Sequence, residues 1–473
     1  MTSERRSAPP PSSPLAKWRS ESGPSSARPI VIGAGPAGLA AAWSLVRAGS
    51  RPLVLEASDR VGGLSASFDV DGFRADYGPH RLHRAASDEV MELYRLALGG
   101  ALLDRDRSGV VHLEGRRLPF PLSLAGLWRG LGPLGALSHG LSAVAARIAP
   151  PPGDDFAGEA GRRLGRRASD RLYEPAARKV WGLPPRELDA ALARARISSD
   201  GPGKVLRAAV GKGRSRRYFY PERGSGALAE GLAERIREAG GEIRTGRRVT
   251  GLRIEGGAIA GVRVDGEVIG ADRVVATAPL PALCAWAGRP PGGPLSYRSL
   301  VLLYLVLGTD RVSAHDVHYF ADERIPANRL FEAKGFTGGA GPAGKTLVGF
   351  DLPCAEGDDT WTAGAESLVE RVRPALDLAG AAGAPILGAS IRRVAAAYPL
   401  LRKGYAGPRD RALDALAAVE GLYPVGRHAL FVHDNVHHAC AAGLAAGRAA
   451  AERKRAGSWR EEQRRYLFAQ IED

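Results

Sequence analysis

The chain has 473 residues, 44% hydrophobic and 25% charged, which supplies a sizeable core and excludes a disordered polymer. Lysine and arginine outnumber the acids 66 to 51, a formal charge of +15 that favours anionic partners, but no basic stripe with interleaved aromatics marks a nucleic-acid binder. Cys284, Cys354 and Cys440 are too scattered for a disulfide framework or a zinc site and suit a reducing cytoplasm, and no run of about 18 apolar residues spans a membrane.

At roughly 150 residues per domain the length allows about three units, or one fold carrying insertions. Residues 1–28 are rich in Pro, Ser and Arg, lack an apolar signal core, and are expected to form a disordered arm. The next stretch, "PIVIGAGPAGLAAAWSLVRAGSRPLVLEASDRVGGLSA", carries the most information. Its short β-branched run predicts a buried parallel strand, and Gly33, Gly35 and Gly38 form G-x-G-x-x-G before an Ala-rich helix. Gly33 permits the tight turn, Gly35 lets backbone approach a pyrophosphate, and Gly38 lets the helix pack on the strand. The helix start, with Ala34, Pro36 and Ala37 between the glycines, offers N–H groups and a positive dipole end to phosphate. A second strand ends in Glu56, placed to accept both ribose hydroxyls of an adenosine and to repel a 2′-phosphate.

Beyond Glu56, "EASDRVGGLSAS" resembles the glutathione-reductase-like flavoproteins, in the branch of amine oxidases, protoporphyrinogen oxidase, carotene desaturases and UDP-galactopyranose mutase. The resemblance implies FAD, held by Gly33, Ala34, Gly35, Pro36, Ala37, Gly38, Glu56, Ala57, Arg60, Gly62, Gly63 and Leu64. A second glycine fingerprint is lacking, so a separate NAD(P)H domain is not expected. "FDVDGFRADYGPHRLHR" predicts a hairpin turning at Asp71-Gly72. The following Gly78-Pro79-His80 resembles the D-x-G-P-H segment that lies beside the isoalloxazine ring in the mutase and protoporphyrinogen-oxidase-like members, with Arg81 next to it.

Residues 122–150 predict a buried helical pair in a substrate domain, with a lipid-surface or apolar-substrate entrance as the alternative. "YEPAARKVWG" resembles a segment of the same branch through Tyr173, Lys179, Trp181 and Gly182. An indole and an ammonium would bind a substrate's ring and anionic tail, unless Trp181 only anchors the core. In the following region a helix leads to a strand ending near Val249, whose backbone the resemblance places on adenine. Another strand closes on Thr277-Ala278-Pro279, with Thr277 and Pro279 near the cofactor. "GAGPAGKT" satisfies the P-loop expression but precedes a strand, and reads as a hairpin loop.

"GRHALFVHDNVHHACAAGLAAGRAA" resembles the last FAD contact through Gly426, Arg427, Asn435, His437 and Gly443, bringing Val436 and Ala439 with it. His433 stands where the family has tyrosine, and Val436 replaces methionine. The i, i+4 pair His433 and His437 is set aside as a metal site because the flavin reading already occupies this segment, and Cys440 as a flavin attachment point because its place within the helix suits a packed thiol.

The expected fold is α/β: a Rossmann-like FAD-binding domain of the glutathione-reductase type with an inserted α+β substrate-binding domain. The cofactor domain takes 29–105, 222–292 and 385–456, the substrate domain 106–221 and 293–384, and a basic helix 457–473. The resemblance implies an FAD-dependent oxidoreductase passing a hydride to flavin N5, with His80, Arg81, Lys179, Trp181 and Arg427 as catalytic candidates. A flavin-dependent isomerase of a nucleotide sugar is the alternative. The partner is expected to be an anionic or apolar small molecule in the cytoplasm; no nucleic acid or metal is expected, and peripheral membrane contact stays open.

Overall fold

The computed structural model describes residues 28–120, 124–197 and 217–471, with the side chains of 124–129 left aside. The predicted arm lies outside this range except for Arg28, whose guanidinium pairs with Glu242 at 2.6 Å. Five short strands form an all-parallel sheet in the order Leu422–Pro424, Val274–Ala276, Ile30–Ile32, Leu53–Leu55 and Glu242–Arg244. Every residue of Ile30–Ile32, Leu53–Leu55 and Val274–Ala276 is buried, as expected of parallel strands covered on both faces.

Small residues set the spacing of the layer above this sheet. The helix Pro36–Arg47 packs lengthwise on the helix Val436–Ala451. A Cβ on Gly443 would lie 2.1 Å from the Ala37 carbonyl oxygen, and one on Gly447 2.4 Å from that of Ala41. The carboxy-terminal part of the chain is thereby clamped over the glycine-rich turn at the amino-terminal part.

The second unit is a seven-stranded mixed sheet, ordered Ile386–Pro399, Tyr297–Leu307, Thr346–Cys354, Arg329–Glu332, Val317–Phe320, Gly109–Leu113 and Arg116–Phe120. Ile386–Pro399 pairs with Tyr297–Leu307 along almost its full length. That strand therefore belongs with the inserted sheet, and the boundary placed at 385 moves to about residue 400, because long-range pairing carries no local signal. Arg217–Pro221, expected in the substrate domain, pairs with Leu102–Asp106 in a two-stranded ribbon joining the two units.

Three other expectations change. The strand expected to end near Val249 ends at Arg244, and Val249 opens a separate antiparallel meander over 249–270. The terminal helix expected over 457–473 spans Ala456–Gln463, followed by a single 3-10 turn at Arg464–Tyr466, and it is docked through buried Trp459, which donates its indole N–H to the Pro424 carbonyl at 3.1 Å. The helix Leu124–Ile148 breaks at Gly132, as a helical pair would, but its outer face is exposed rather than buried. "GAGPAGKT" forms a loop leading into the strand Thr346–Cys354, so no helix follows it as a P-loop requires. None of the described helices is long and apolar enough to cross a membrane.

Candidate functional site

The crossover from Ile30–Ile32 into Pro36–Arg47 forms the floor of the site. Gly33 has φ +94°, and a Cβ there would strike the Thr277 hydroxyl, whose hydrogen donates to the Ile32 carbonyl at 2.7 Å. At Gly38 a Cβ would lie 2.0 Å from the Gly33 carbonyl oxygen. Gly35 differs from both, because a Cβ built on it meets nothing within 4 Å. No side chain caps this helix end, and Pro36 occupies its first turn. Two of the three glycines thus shape the turn, while the third borders open space at a helix start, the arrangement by which such folds bind a pyrophosphate.

Glu56 accepts the Ala34 N–H on Oε2 at 2.7 Å, and the Ser58 N–H on Oε1 at 2.9 Å. Its backbone carbonyl accepts the Arg247 N–H at 2.8 Å, which brings the segment before Val249 beside the carboxylate. Gly62 donates to the Ala34 carbonyl at 2.8 Å, and Gly63 lies over Gly35, with a would-be Cβ 3.4 Å from the Gly35 Cα. Gly426, at φ +87°, closes the other wall against Ala37. Asn435 and His438 cap the next helix reciprocally, while the Nδ1 of His437 is buried without a partner. Pro279 caps the helix Leu280–Trp286, and Ala57 is exposed. Arg60 is turned to Asp59, at 2.9 Å, rather than into the cradle.

The hairpin Ser67–Val70 and Phe73–Asp76 turns at Asp71 and Gly72, both with positive φ, and delivers Gly78-Pro79-His80 to the same cleft. Asp76 holds this loop from below. Its carboxylate accepts from the hydroxyls of Ser67 and Tyr220 and from the Ser225 N–H, and its carbonyl accepts from the Tyr304 hydroxyl. His80 donates from Nε2 to the Leu64 carbonyl at 2.7 Å. Burial, then the charges of Arg427 and Arg329, lower its pKa to about 4, so the ring is neutral at pH 7.

Across from His80, Arg427 pairs with Asp434 at 2.8 Å and lies 5.7 Å over the Tyr398 ring. Tyr398 stacks on His433, and Trp181 meets both edge-on, at 5.8 Å and 5.0 Å. Arg196 covers the Trp181 and Tyr398 rings at 5.1 Å and 5.4 Å, with a buried, unpartnered Nε. A cavity of about 500 Å³ opens behind Trp181, lined also by Tyr297, Arg298, Glu356 and Arg402. On the other side of the loop, Arg329 pairs with the buried Asp351 directly behind Gly78.

The structure brings together the glycine turn, Glu56, the His80 loop and Arg427, while Trp181 is 3% exposed, packs in the core, and meets Tyr398, His433 and Arg196 beyond Arg427. Lys179 stands apart: its ammonium is bound by the carbonyls of Phe320 and Ala327 at 2.6 and 3.2 Å. Arg81 packs over the rings of Tyr218 and Phe336, at 5.0 Å and 5.5 Å. Sequence reasoning missed Arg196, Arg329, Asp351 and Tyr398. None sits in a motif, and the Arg329–Asp351 pair exists only through the register of two antiparallel strands.

The model of the flavin containing amine oxidoreductase family matches residues 36–301, more than half of the chain. The chain belongs to this family. Its cofactor is FAD, and the open space in front of Gly35, beside Gly63, has the room a pyrophosphate would need. A phytoene dehydrogenase of Streptomyces griseus is 31% identical over 329 residues, 61% of this chain and 62% of that relative's length. Among solved structures, reduced UDP-galactopyranose mutase superposes with TM-score 0.77 at 19% identity, over 94% of this chain and 100% of that one. A protein of Exiguobacterium sp. 255-15, provisionally assigned as a protoporphyrinogen oxidase, gives 0.72 at 19% identity over 91% and 100%. At such identities the two structures establish the shared fold.

Buried histidines make the stability of this flavoprotein pH-dependent. Burial is the first cause lowering His80, His112 and His428 to about 4, His318 and His437 to about 3, and His83 to about 2. Between these values and the 6.5 of a free histidine the unfolded chain binds more protons, so stability is full above that pH and declines as pH falls. The buried carboxyls Asp76, Asp316 and Asp351 are raised and act in the opposite sense, but six rings outnumber them. The melting temperature of the holoprotein is expected to drop between pH 7 and pH 5; an unchanged or rising value would contradict this account.

Proposed function

We propose that the protein is an FAD-dependent oxidoreductase that removes a hydride from a small organic substrate carrying an anionic group. Arg196 carries this reading. It stands over the rings of Trp181 and Tyr398, the second of which Arg427 also covers, and among the described residues no carboxylate neutralises it. A protonated amine would meet Arg196 as a like charge, Arg427 being already paired with Asp434, whereas a carboxylate or phosphate would complete the set.

The chemistry FAD supplies when bound is acceptance of a hydride at N5. Gly35 and Gly63 leave room for the pyrophosphate, and Glu56, held by the Ala34 N–H, would accept the hydroxyls of the adenosine ribose. Neutral His80 fixes its own loop through the Leu64 carbonyl, would lie beside the flavin ring, and holds no proton to donate as an imidazolium at pH 7. Trp181, Tyr398 and Arg196 orient the substrate and keep water from the reacting bond, with the cavity behind Trp181 as its approach. Lys179 and Arg81 have no part in this constellation.

The test is to mix the oxidised holoprotein anaerobically with carboxylate-bearing donors, with simple amines, and, after reduction, with UDP-galactopyranose. Bleaching of the flavin by an anionic donor supports the proposal. Bleaching by amines alone, or sugar interconversion without net electron transfer, sinks it. With an anionic donor in hand, Arg196→Gln should raise KM on the order of tenfold and leave flavin content unchanged, since the charge acts on the substrate.

A further inference from the structure

The helix Leu124–Ile148 is amphipathic in the wrong sense for a water-facing element. After the break at Gly132, Leu134, Leu137, Leu141, Val144 and Ile148 are 82%, 58%, 61%, 53% and 81% exposed. At about 100° per residue they fall within an arc of roughly 80°, one continuous stripe. The inward side is made of small residues. Ala146 is buried, and Ala143 is pressed so closely on Gly165 that a Cβ there would lie 2.6 Å from the Ala143 nitrogen. Packing needs explain the small side, whereas nothing in the described fold uses the large aliphatic one.

Arginines border the stripe. Arg147, on the same helix, bonds only the Ala143 carbonyl. Arg166 and Arg167 are exposed on the short helix Arg166–Ala168 packed beside it. The Arg167 backbone N–H donates to the Ser142 hydroxyl at 3.1 Å, and its guanidinium lies 3.5 Å from the Ser138 hydroxyl. Among the described residues none of the three is paired with a carboxylate.

We propose that this face seats the protein on a lipid bilayer with anionic headgroups, independently of the substrate reading above. The stripe lies parallel to the surface among the acyl chains, and Arg147, Arg166 and Arg167 meet the phosphates around it. Charge decides against a second copy as the occupant: a twofold contact between two stripes brings two arginine rims together, within a chain whose net charge is already +15.

The experiment is co-sedimentation of the holoprotein with vesicles of phosphatidylcholine and phosphatidylglycerol, three to one, and with phosphatidylcholine alone. Binding to the anionic vesicles is expected to exceed binding to the neutral ones by about tenfold at low salt, and to fall as salt is raised. Leu137→Ser with Leu141→Ser should abolish sedimentation while the flavin spectrum and melting temperature stay as they were, because both side chains face outward. Arg147→Gln, Arg166→Gln and Arg167→Gln together should erase the preference for phosphatidylglycerol. The proposal is overturned if the wild-type protein stays in solution with both vesicles. It is equally overturned if light scattering finds a dimer that the leucine variant dissociates, which would make the stripe a subunit contact.

Discussion

Gly35→Glu is expected to yield a folded, colourless protein. Of the three glycines in the turn, Gly35 is the one whose missing side chain points into open space, so a larger residue does not collide with protein. The added carboxylate would occupy the place of the pyrophosphate and repel it at the start of the helix Pro36–Arg47. FAD affinity should fall by more than about 100-fold, a penalty on the order of 3 kcal/mol, with the circular dichroism of the fold preserved. Gly38→Ala supplies the contrast, because a Cβ there drives into the Gly33 carbonyl and should lower the melting temperature itself. A yellow Gly35→Glu protein with stoichiometric FAD would remove the cradle assignment.

Asp76→Ala should cost stability and cofactor together. The carboxylate is buried beneath the Gly78-Pro79-His80 loop, and burial pushes its pKa up. Three donors converge on it: the hydroxyls of Ser67 and Tyr220 and the Ser225 N–H. Removing the acceptor strands all three in a site that water does not reach, at about 1–3 kcal/mol per orphaned group, so a loss of about 3 kcal/mol or more is expected. Urea unfolding followed by flavin fluorescence measures it, and the released loop should weaken FAD retention in the same titration. Asp76→Asn keeps an acceptor and should lose less. A variant as stable as the wild type would mean that the loop is held elsewhere, through Tyr304 or the Leu64–His80 bond.

These two expectations differ in how they became visible. Gly35 is legible from spacing, because the turn, the helix and the acid at the strand end all lie within 30 residues and their geometry is local. The two-residue hairpin at Asp71-Gly72 is legible for the same reason. Asp76 lies within a motif, but the partners of its carboxylate sit 9 to 149 residues away in sequence and nothing local announces them.

What the residues in order determined was the Rossmann crossover, the FAD family, the loop bearing His80, and the return of residues 426–443 to the amino-terminal turn. Each depends on backbone conformations that only certain residues adopt, above all glycine at positive φ, so short stretches suffice. What only the tertiary structure decided was which charges meet: Arg196 over Trp181 and Tyr398, Arg329 with Asp351, and Lys179 drawn off to backbone carbonyls. Pairing between distant strands also moved Ile386–Pro399 out of the cofactor unit. Whether the face of Leu124–Ile148 turns inward or outward was settled in the same way, since periodicity reveals an apolar stripe but not what lies opposite it.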